Sequence, residues 1–468
     1  MDNDEIQHFC STDSGSSGAP ILNFETGKVI GVHFGFNENK KINLGRLLKK
    51  PINDFYGLYQ SEKNEIIITI LINNDDLNKE IYFLDNIKYT DDIVTEKKPD
   101  SSLKELSKTN TNIFINDKKM DYSKFFIPET EGIYTIKLEF TIKLTDCQQM
   151  FHGCKNITNI SLLNFESENV KNMKYMFAGC RNLINIDLSS FNTENVENMS
   201  YMLYDCINLE KIDLSTFNTG KVTDMSGLFC GCQKITSLNL NNLNTKNVVN
   251  MTHMFYRCEN ISFLDLTNFD TKNVTNMSGL FAGCLKLNNI DLSKFNTKNV
   301  YFMSHLFYDC RKMTNIDLSS FNTKNVDNMN SMFYNCYNLR TVNLSSFDTN
   351  NVINMGMMFL NCKLLVNLDL SSFKTSNTIH MYNMFGGCEN LYNLDISSFN
   401  CGHKDSLKQN NNNFFSSPIM FMFNQSMFQN CKSLRNIKIS YADSKNIEFL
   451  NDLKRNAPKL ETIKVKKF

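Results

Sequence analysis

The sequence contains no tryptophan and only six prolines in 468 residues. None of these prolines lies between Pro128 and Pro418, so that interval lacks the residue that cannot donate a hydrogen bond within a sheet. The 49 basic and 49 acidic side chains cancel, which excludes a bulk electrostatic attraction to nucleic acid or to a membrane surface.

Long apolar runs are also missing, so we expect no transmembrane segment. The first ten residues, MDNDEIQHFC, have neither the basic start nor the apolar core of a secretory signal. These absences, together with the unpaired cysteines discussed below, favour a cytoplasmic chain. We expect a monomer without a bound cofactor or metal.

The sequence is rich in one repeated spacing. Ten cysteines follow one another at intervals of 26 residues, and an eleventh comes 43 residues after the tenth, as 26 plus an insertion of 17: Cys154, Cys180, Cys206, Cys232, Cys258, Cys284, Cys310, Cys336, Cys362, Cys388 and then Cys431. Such self-similarity indicates a stack of identical units, each of which buries its apolar face against its neighbours.

One unit reads CRNLINIDLSSFNTENVENMSYMLYD, residues 180–205. Ile186 and Leu188 alternate around an aspartate, which is the period of a half-buried strand. The next apolar residues, from Val196 to Cys206, are spaced by three, three and four, which predicts one face of a short helix. We therefore predict an α/β solenoid with a parallel sheet on one side and helices on the other.

The same run resembles the BspA-type leucine-rich repeat found in bacterial and protist surface proteins and in mycoplasma lipoproteins. The resemblance covers roughly residues 147–440. It implies a horseshoe-shaped solenoid used for adhesion or protein–protein contact, without catalytic residues. Because members of this family are often exposed at the cell surface, it also keeps that location open beside the cytoplasmic one.

The cysteine, methionine and phenylalanine columns are best interpreted as the core. A buried thiol behaves as a small apolar group, and the repeat places one cysteine in each unit without a histidine or cysteine at ligand spacing. Cys230 and Cys232 are the closest pair. We expect neither a metal centre nor a disulfide framework, because disulfide geometry is narrow.

Strand parity places an aspartate of most units on the outer, concave side of the sheet, where Asp265, Asp291 and Asp317 form the longest unbroken run. Stacked carboxylates should raise one another's pKa, unless donors, a cation or a basic partner offset the repulsion. The alternative is that each aspartate accepts local hydrogen bonds that fix the following turn. Phe263 is the large apolar residue at an outward position, and exposed aromatics often anchor interfaces.

We therefore expect a protein partner on the concave face at Phe263, Asp265, Asp291 and Asp317. A second column of charge lies between strand and predicted helix, at Lys246, Lys272, Lys298 and Lys324. This column is more typical of a solvated rim than of a binding site.

Residues 1–59 differ in kind from the repeats. TDSGSSGAPILNFETGKVIGVHFG, residues 12–35, resembles the C-terminal part of trypsin-like serine peptidases of the glutamyl-endopeptidase type. By that resemblance Ser17 is the nucleophile, Gly15 contributes to the oxyanion hole and His33 contacts an acidic substrate side chain. The family's catalytic histidine and aspartate precede the serine by far more chain than the sixteen residues present here, and a serine without a general base is a poor nucleophile.

Three further regions complete the organisation. For residues 60–145 we predict a small α+β cap. Its expected elements are a hairpin from 65–72 and 80–85, a helix at 102–108, and strands at 112–117 and 132–140, an order compatible with a β-grasp-like fold. The repeats run from 146 to 440, with an insertion at about 400–426 interpreted as a disordered loop. Residues 441–468 predict a capping unit with a helix and a last strand.

An interaction scaffold is thus the leading function, and a serine endopeptidase with the repeats as a targeting module is the alternative. We predict that the chain does not cleave peptides, because no general base serves Ser17. Mass spectrometry of mixed peptide substrates incubated with the chain checks this. Turnover that disappears in Ser17→Ala would establish the peptidase instead.

Overall fold

The computed structural model describes residues 64–86, 88–89, 103–400 and 426–466, and the backbone of four strands before residue 64. The chain divides into two compact units, Met1–Lys63 and Asn64–Phe468. The predicted loop lies largely in residues 401–425, outside the described residues.

The first unit contains an antiparallel sheet of four strands, in the order β1-β4-β3-β2. The strands are β1 (Glu5–His8), β2 (Pro20–Leu22), β3 (Val29–Asn37) and β4 (Ile42–Leu47). His33 lies within β3, opposite Gly45 of β4. Gly15 and Ser17 lie outside the described residues, so the arrangement of the peptidase-like residues stays a prediction.

The second unit begins with a five-stranded sheet in the order β11-β5-β10-β7-β8, and a separate pair is formed by β6 and β9. The elements are β5 (Asn64–Ile72), a 3-10 turn (Asn74–Asp76), β6 (Ile81–Tyr82), β7 (Thr111–Ile115), β8 (Lys118–Met120), β9 (Phe125–Phe126) and β10 (Gly132–Phe140).

Two predictions for this region are wrong. The expected hairpin between 65–72 and 80–85 does not form, because β5 pairs with β10 on one side and with β11 on the other. No helix occupies residues 103–108. Since β11 belongs to the first repeat, the sheet of the cap continues into the solenoid and covers its first coil. The predicted strand at 132–140 is confirmed as β10.

The repeats form a β-solenoid in which most coils carry a short strand, whereas the equivalent residues 237–239, 263–265 and 289–291 are in no regular strand. The strands are β11 (Ile157–Asn164), β12 (Asn185–Ile186), β13 (Lys211–Ile212), β14 (Asn315–Asp317), β15 (Thr341–Asn343), β16 (Asn367–Asp369), β17 (Asn393–Ile396) and β18 (Asn436–Ile439). From β12 onward, each pair is parallel and in register, so that Asn315 lies beside Thr341 and Asn367 beside Asn393.

The predicted helical layer is wrong. Residues 146–400, all of which the structure describes, contain no helix. The segment from Val196 to Cys206 is a run of turns, in which the N–H groups of Tyr201 and Leu203 donate to the carbonyls of Ser226 and Leu228 in the next coil. An α-helix would direct these donors to its own preceding turn.

Alternate residues of that segment close turns within the coil, as when the N–H of Tyr204 donates to the carbonyl of Tyr201. Tyr201 and Asp205 have φ angles of 55° and 56°, in the left-handed region that a right-handed helix cannot include. Equivalent positive values recur at two sites in each coil. Many of the second sites carry glycine, asparagine or aspartate, the residues that tolerate this conformation best.

The core consists of columns that continue from coil to coil. Phe281, Phe307 and Phe333 are fully buried and stacked, with ring centroids 5.5 and 5.7 Å apart. A column of buried threonines also joins adjacent coils. The hydroxyl of Thr297 donates a hydrogen bond to the carbonyl of Asn322 in the next coil and accepts one from the N–H of Asn322. The expected burial of the apolar columns is therefore confirmed, although turns rather than a helix produce it.

The chain closes with a different coil. After a 3-10 turn (Asp443–Lys445), helix α1 (Ile447–Asn456) leads to β19 (Thr462–Val465), which pairs in parallel with β18. The side chain of Asn446 caps α1 by accepting the N–H of Phe449. The predicted helix and last strand of this capping unit are confirmed.

We predict that truncating a middle coil is costly. Phe307→Ala should lower the free energy of unfolding by about 3–5 kcal/mol and Leu318→Ala by about 2–5 kcal/mol, because each leaves a cavity at a fully buried site. Urea unfolding followed by circular dichroism measures both. Phe263→Ala, at an exposed site, is the control. Equal stability of all three variants would contradict the assignment of the core.

Candidate interaction surface on the repeats

The sheet face is the surface formed by the outward residues of the short strands. In β14 the side chains of Asn315 and Asp317 are exposed, whereas Ile316 between them is buried. Because each coil repeats this alternation at about 4.8 Å, the outward positions form columns. Within them, polar side chains join neighbouring coils: Thr341 Oγ1 donates to Asn315 Oδ1 at 2.6 Å, and Asn393 Nδ2 donates to Asn367 Oδ1 at 2.6 Å.

The acidic row is formed by Asp265, Asp291 and Asp317, and each of these side chains is exposed. Asp317 ends β14, whereas Asp265 and Asp291 hold the equivalent positions in two coils without a regular strand, and all three are counted with the sheet face. In each case Oδ1 accepts the N–H of the second residue along the chain: Thr267 at 3.1 Å, Ser293 at 2.9 Å and Ser319 at 2.9 Å. Thr267 adds its hydroxyl at 2.7 Å. These aspartates therefore fix the turn that follows the strand.

Mutual repulsion does not raise the carboxylate pKa values, and the alternative, in which each aspartate accepts local hydrogen bonds that fix the following turn, is confirmed. Hydrogen bonds from Thr267 lower the pKa of Asp265, and the nearby charge of Asp291 opposes this only weakly. The backbone N–H groups of Ser293 and Ser319 likewise lower the pKa values of Asp291 and Asp317. A local donor outweighs a neighbouring charge here because water surrounds the carboxylates and screens their repulsion.

Phe263 lies two residues before Asp265 in the same coil, and its side chain is 65% exposed. A shallow depression opens two coils further along the same face, lined by Asn289, Asn315, Asp317 and Thr341. Phe263 and the three aspartates are thus all exposed at outward positions, and their role in binding a partner stays a prediction.

The lysine row, Lys246, Lys272, Lys298 and Lys324, occupies a corner that follows the threonine column, and all four side chains are exposed. The sequence did not single out the apolar residues three positions further on. Val249, Tyr301 and Ile353 are between 42% and 47% exposed. The sequence feature that could have identified them is the presence of large apolar residues at a repeat position that is polar in other coils, as at Glu197 and Thr223.

The cysteine column has a role that apolar packing alone does not explain. In the column of ten repeat cysteines that begins at Cys180 and ends at Cys431, each thiol lies within 3.1–3.3 Å of a carbonyl in the preceding coil, as Cys284 Sγ does with Phe255 O at 3.2 Å. The thiol donates to a carbonyl that its apolar surroundings close off from water. The thirteen described cysteines are free and buried.

Burial also controls the chemistry of these thiols. It raises the pKa of Cys284 to about 12 and that of Cys431 to about 12. Few of them are ionised near neutral pH, and the thiolate is the reactive form. Among the described residues, no group of three or more histidine, cysteine or acidic side chains could hold a metal ion. No helix within the same residues is long and apolar enough to span a bilayer.

These observations define the class of the protein as a repeat solenoid with chemically distinct walls. The profile of a family described as Mycoplasma protein of unknown function, DUF285, matches three overlapping stretches, residues 145–263, 229–342 and 303–421. Together the stretches cover more than half of the 468 residues, and the chain belongs to this family. No curated protein matches it.

We predict that the cysteines react slowly in the folded chain. A variant in which Cys10 and Cys401 are serine retains the thirteen described cysteines. Its labelling by a disulfide reagent at pH 8 should be slow before unfolding and fast in denaturant, because the raised pKa values suppress the thiolate. Rapid labelling of several thiols in the native chain would contradict their burial.

Proposed function

We propose that this chain is a repeat scaffold that binds a macromolecular partner, most simply a basic protein segment, through the sheet face of its middle coils. The observation that carries the proposal is the exposed ring of Phe263 beside the acidic row. An aromatic anchor next to charged groups is a combination common at the energetic centres of protein interfaces.

The rigidity of the face supports the proposal. In later coils, paired strands and side-chain ladders such as that from Asn367 through Asn393 to Asn436 restrain the outward positions. In the acidic row, hydrogen bonds from the following turn hold Asp265, Asp291 and Asp317. A surface fixed before binding loses less conformational entropy when a partner arrives. A repeat solenoid is therefore suited to presenting a flat, regular array of groups.

The carboxylates retain capacity for a partner. In Asp265 and Asp291 the turn engages Oδ1, and no hydrogen bond within the described residues engages Oδ2. Neither aspartate has a basic side chain within 4.0 Å in that part of the chain. Lysine or arginine groups of a partner can therefore pair with these oxygens, and the attraction should weaken with added salt.

The resemblance to BspA-type repeats supports the same function, since it implies proteins used in adhesion and protein–protein contact. The described residues give no comparable support to the peptidase alternative, because Ser17 and Gly15 lie outside them. The chain is proposed as a binding protein on the properties of its repeats alone.

We predict that a random peptide library displayed on phage, selected at low salt, yields lysine- or arginine-rich peptides with an apolar residue. Replacing Asp265, Asp291 and Asp317 together by Asn, or Phe263 by Ser, should weaken binding of these peptides about tenfold or more. Both changes are at exposed positions, and asparagine already stands at the aspartate position in Asn239 and Asn343, so folding should survive.

Two matched variants serve as controls. Glu194, Glu197 and Glu210 replaced together by Gln remove the same charge from exposed sites in other coils, and Tyr441→Ser removes an exposed aromatic from the last coils. Neither should affect the selected peptides. Unchanged affinity in both sheet-face variants, measured by isothermal calorimetry, would exclude this face as the binding surface.

A further inference from the structure

The lysine row is a built feature of the solenoid and is in register from coil to coil. The Nδ2 groups of Asn273, Asn299 and Asn325 donate to the main-chain carbonyls of Lys246, Lys272 and Lys298 at 2.7–2.8 Å. A fourth asparagine holds Lys324 in the same way, at 2.7 Å. Four ammonium groups therefore leave the same corner of consecutive coils, about 4.8 Å apart at their backbones.

This row is largely uncompensated. Only Lys272 has an acidic side chain within 4.0 Å among the described residues, Asp270 at 3.4 Å. For Lys246, Lys298 and Lys324, no carboxylate of the described chain lies that close. Like charges at this spacing repel one another, and an acidic counterpart with the same spacing would relieve the repulsion.

An exposed apolar column runs beside the lysines. Tyr301 is 47% and Phe302 43% exposed, and Val249 and Ile353 flank them in nearby coils. Thr275 and Asp327 occupy the same position in the intervening coils, and main-chain bonds join them to the column, since the N–H of Tyr301 donates to Thr275 O and the N–H of Ile353 donates to Asp327 O. Basic and apolar columns side by side favour a folded or extended protein over a nucleic acid, whose bases would need more aromatic platforms than these two rings.

The spacing of the row limits which acidic protein fits. An extended peptide presents side chains on one face about every 6.8 Å, twice the rise of a strand, and a helix repeats every 5.4 Å. Either can pair with some of the charges in a row, but neither can pair with the charge of every coil, because the coils are about 4.8 Å apart. The acidic row of a second copy of this chain has the required period, because Asp265, Asp291 and Asp317 also come from consecutive coils.

We propose that the lysine row of one copy binds the acidic row of a second copy, so that two solenoids lie side by side. The inference rests on the proposed function in using the same sheet face, and it names a second copy as one occupant of that face. Phe263 of one copy, exposed next to the acidic row, would reach the apolar column of the other. Because the lysine row and the acidic row are different surfaces, a pair of copies retains one free lysine row and one free acidic row. Association can therefore continue beyond two copies.

Sedimentation velocity over a concentration series tests this directly. The wild type should associate at low ionic strength and become monomeric at about 1 M salt, where the Debye length falls to about 3 Å. Changing Lys246, Lys272, Lys298 and Lys324 to Glu should abolish association, because two acidic rows then face each other. Changing Asp265, Asp291 and Asp317 to Lys should abolish it as well, because two basic rows do.

An equimolar mixture of these two variants should associate again, since the unchanged acidic row of the first matches the unchanged lysine row of the second, and the new glutamate row matches the new lysine row as well. Lysine is tolerated in the aspartate column, where Lys438 lies beside Asp395 and Lys464 beside Lys438. Circular dichroism spectra of both variants that match the wild type ensure that loss of association is not loss of folding.

Two outcomes would overturn the inference: a wild type that is monomeric at low salt at every concentration, or a mixture that fails to restore association. If the phage selection still yields basic peptides in that case, the proposed function stands without self-association. Restored association in the mixture, with no peptides selected, would instead leave self-association as the role of the sheet face. Saturable binding of an acidic peptide or of single-stranded DNA to a lysine row that does not self-associate would identify a different occupant.

Discussion

The structure depends on one constraint, which is that each coil must satisfy the backbone polar groups of the next. A buried N–H or carbonyl without a partner is costly, and in these coils the donors point along the solenoid. The N–H of Leu203 meets Leu228 O, the hydroxyl of Thr297 meets Asn322 O, and the thiol of Cys284 meets Phe255 O. Because every such bond joins fixed positions of adjacent coils, the path of one coil determines that of its neighbour. The regular surfaces on the outside are a product of this internal matching.

Much of the solenoid could be predicted from the sequence. The 26-residue period and the burial of Phe307 and Leu318 follow from the spacing of apolar residues, as do the parallel strands that form in most coils. The spacing could not distinguish a helix from a series of turns, because turns bury Val196, Met199, Met202 and Cys206 equally well. The distinguishing signal was the column of glycine, asparagine and aspartate represented by Asp205, which a left-handed backbone requires and a helix does not. In the cap, the partner of β5 is β11, and pairing between strands so far apart in sequence leaves no local trace.

For the candidate surface, strand parity was sufficient to predict which residues face outward, including Phe263. It left the electrostatics undecided between mutual repulsion of the aspartates and local hydrogen bonds to each of them. The turn that follows each aspartate supplies a donor close to the carboxylate, and that interaction controls the direction of the pKa shift. Similarly, the sequence alone suggests that the lysine row is a solvated rim. Only the structure shows the exposed apolar column beside it. Charge patterns along a repeat thus need the coil geometry before they indicate a binding role.

The bond between Cys431 Sγ and Phe385 O has a wider consequence. At 3.2 Å it falls within the 3.1–3.3 Å range of its equivalents, although 17 more residues separate the two partners than in the preceding coils. Leu394 and Ile437 still pair in parallel across the same interval. Contacts between adjacent coils therefore depend on the position of a residue around the coil and are independent of how many residues lie between the two partners. In evolutionary terms, the corners of such a solenoid can gain new segments, and whole coils can be duplicated or lost, while the surfaces already in use keep their spacing.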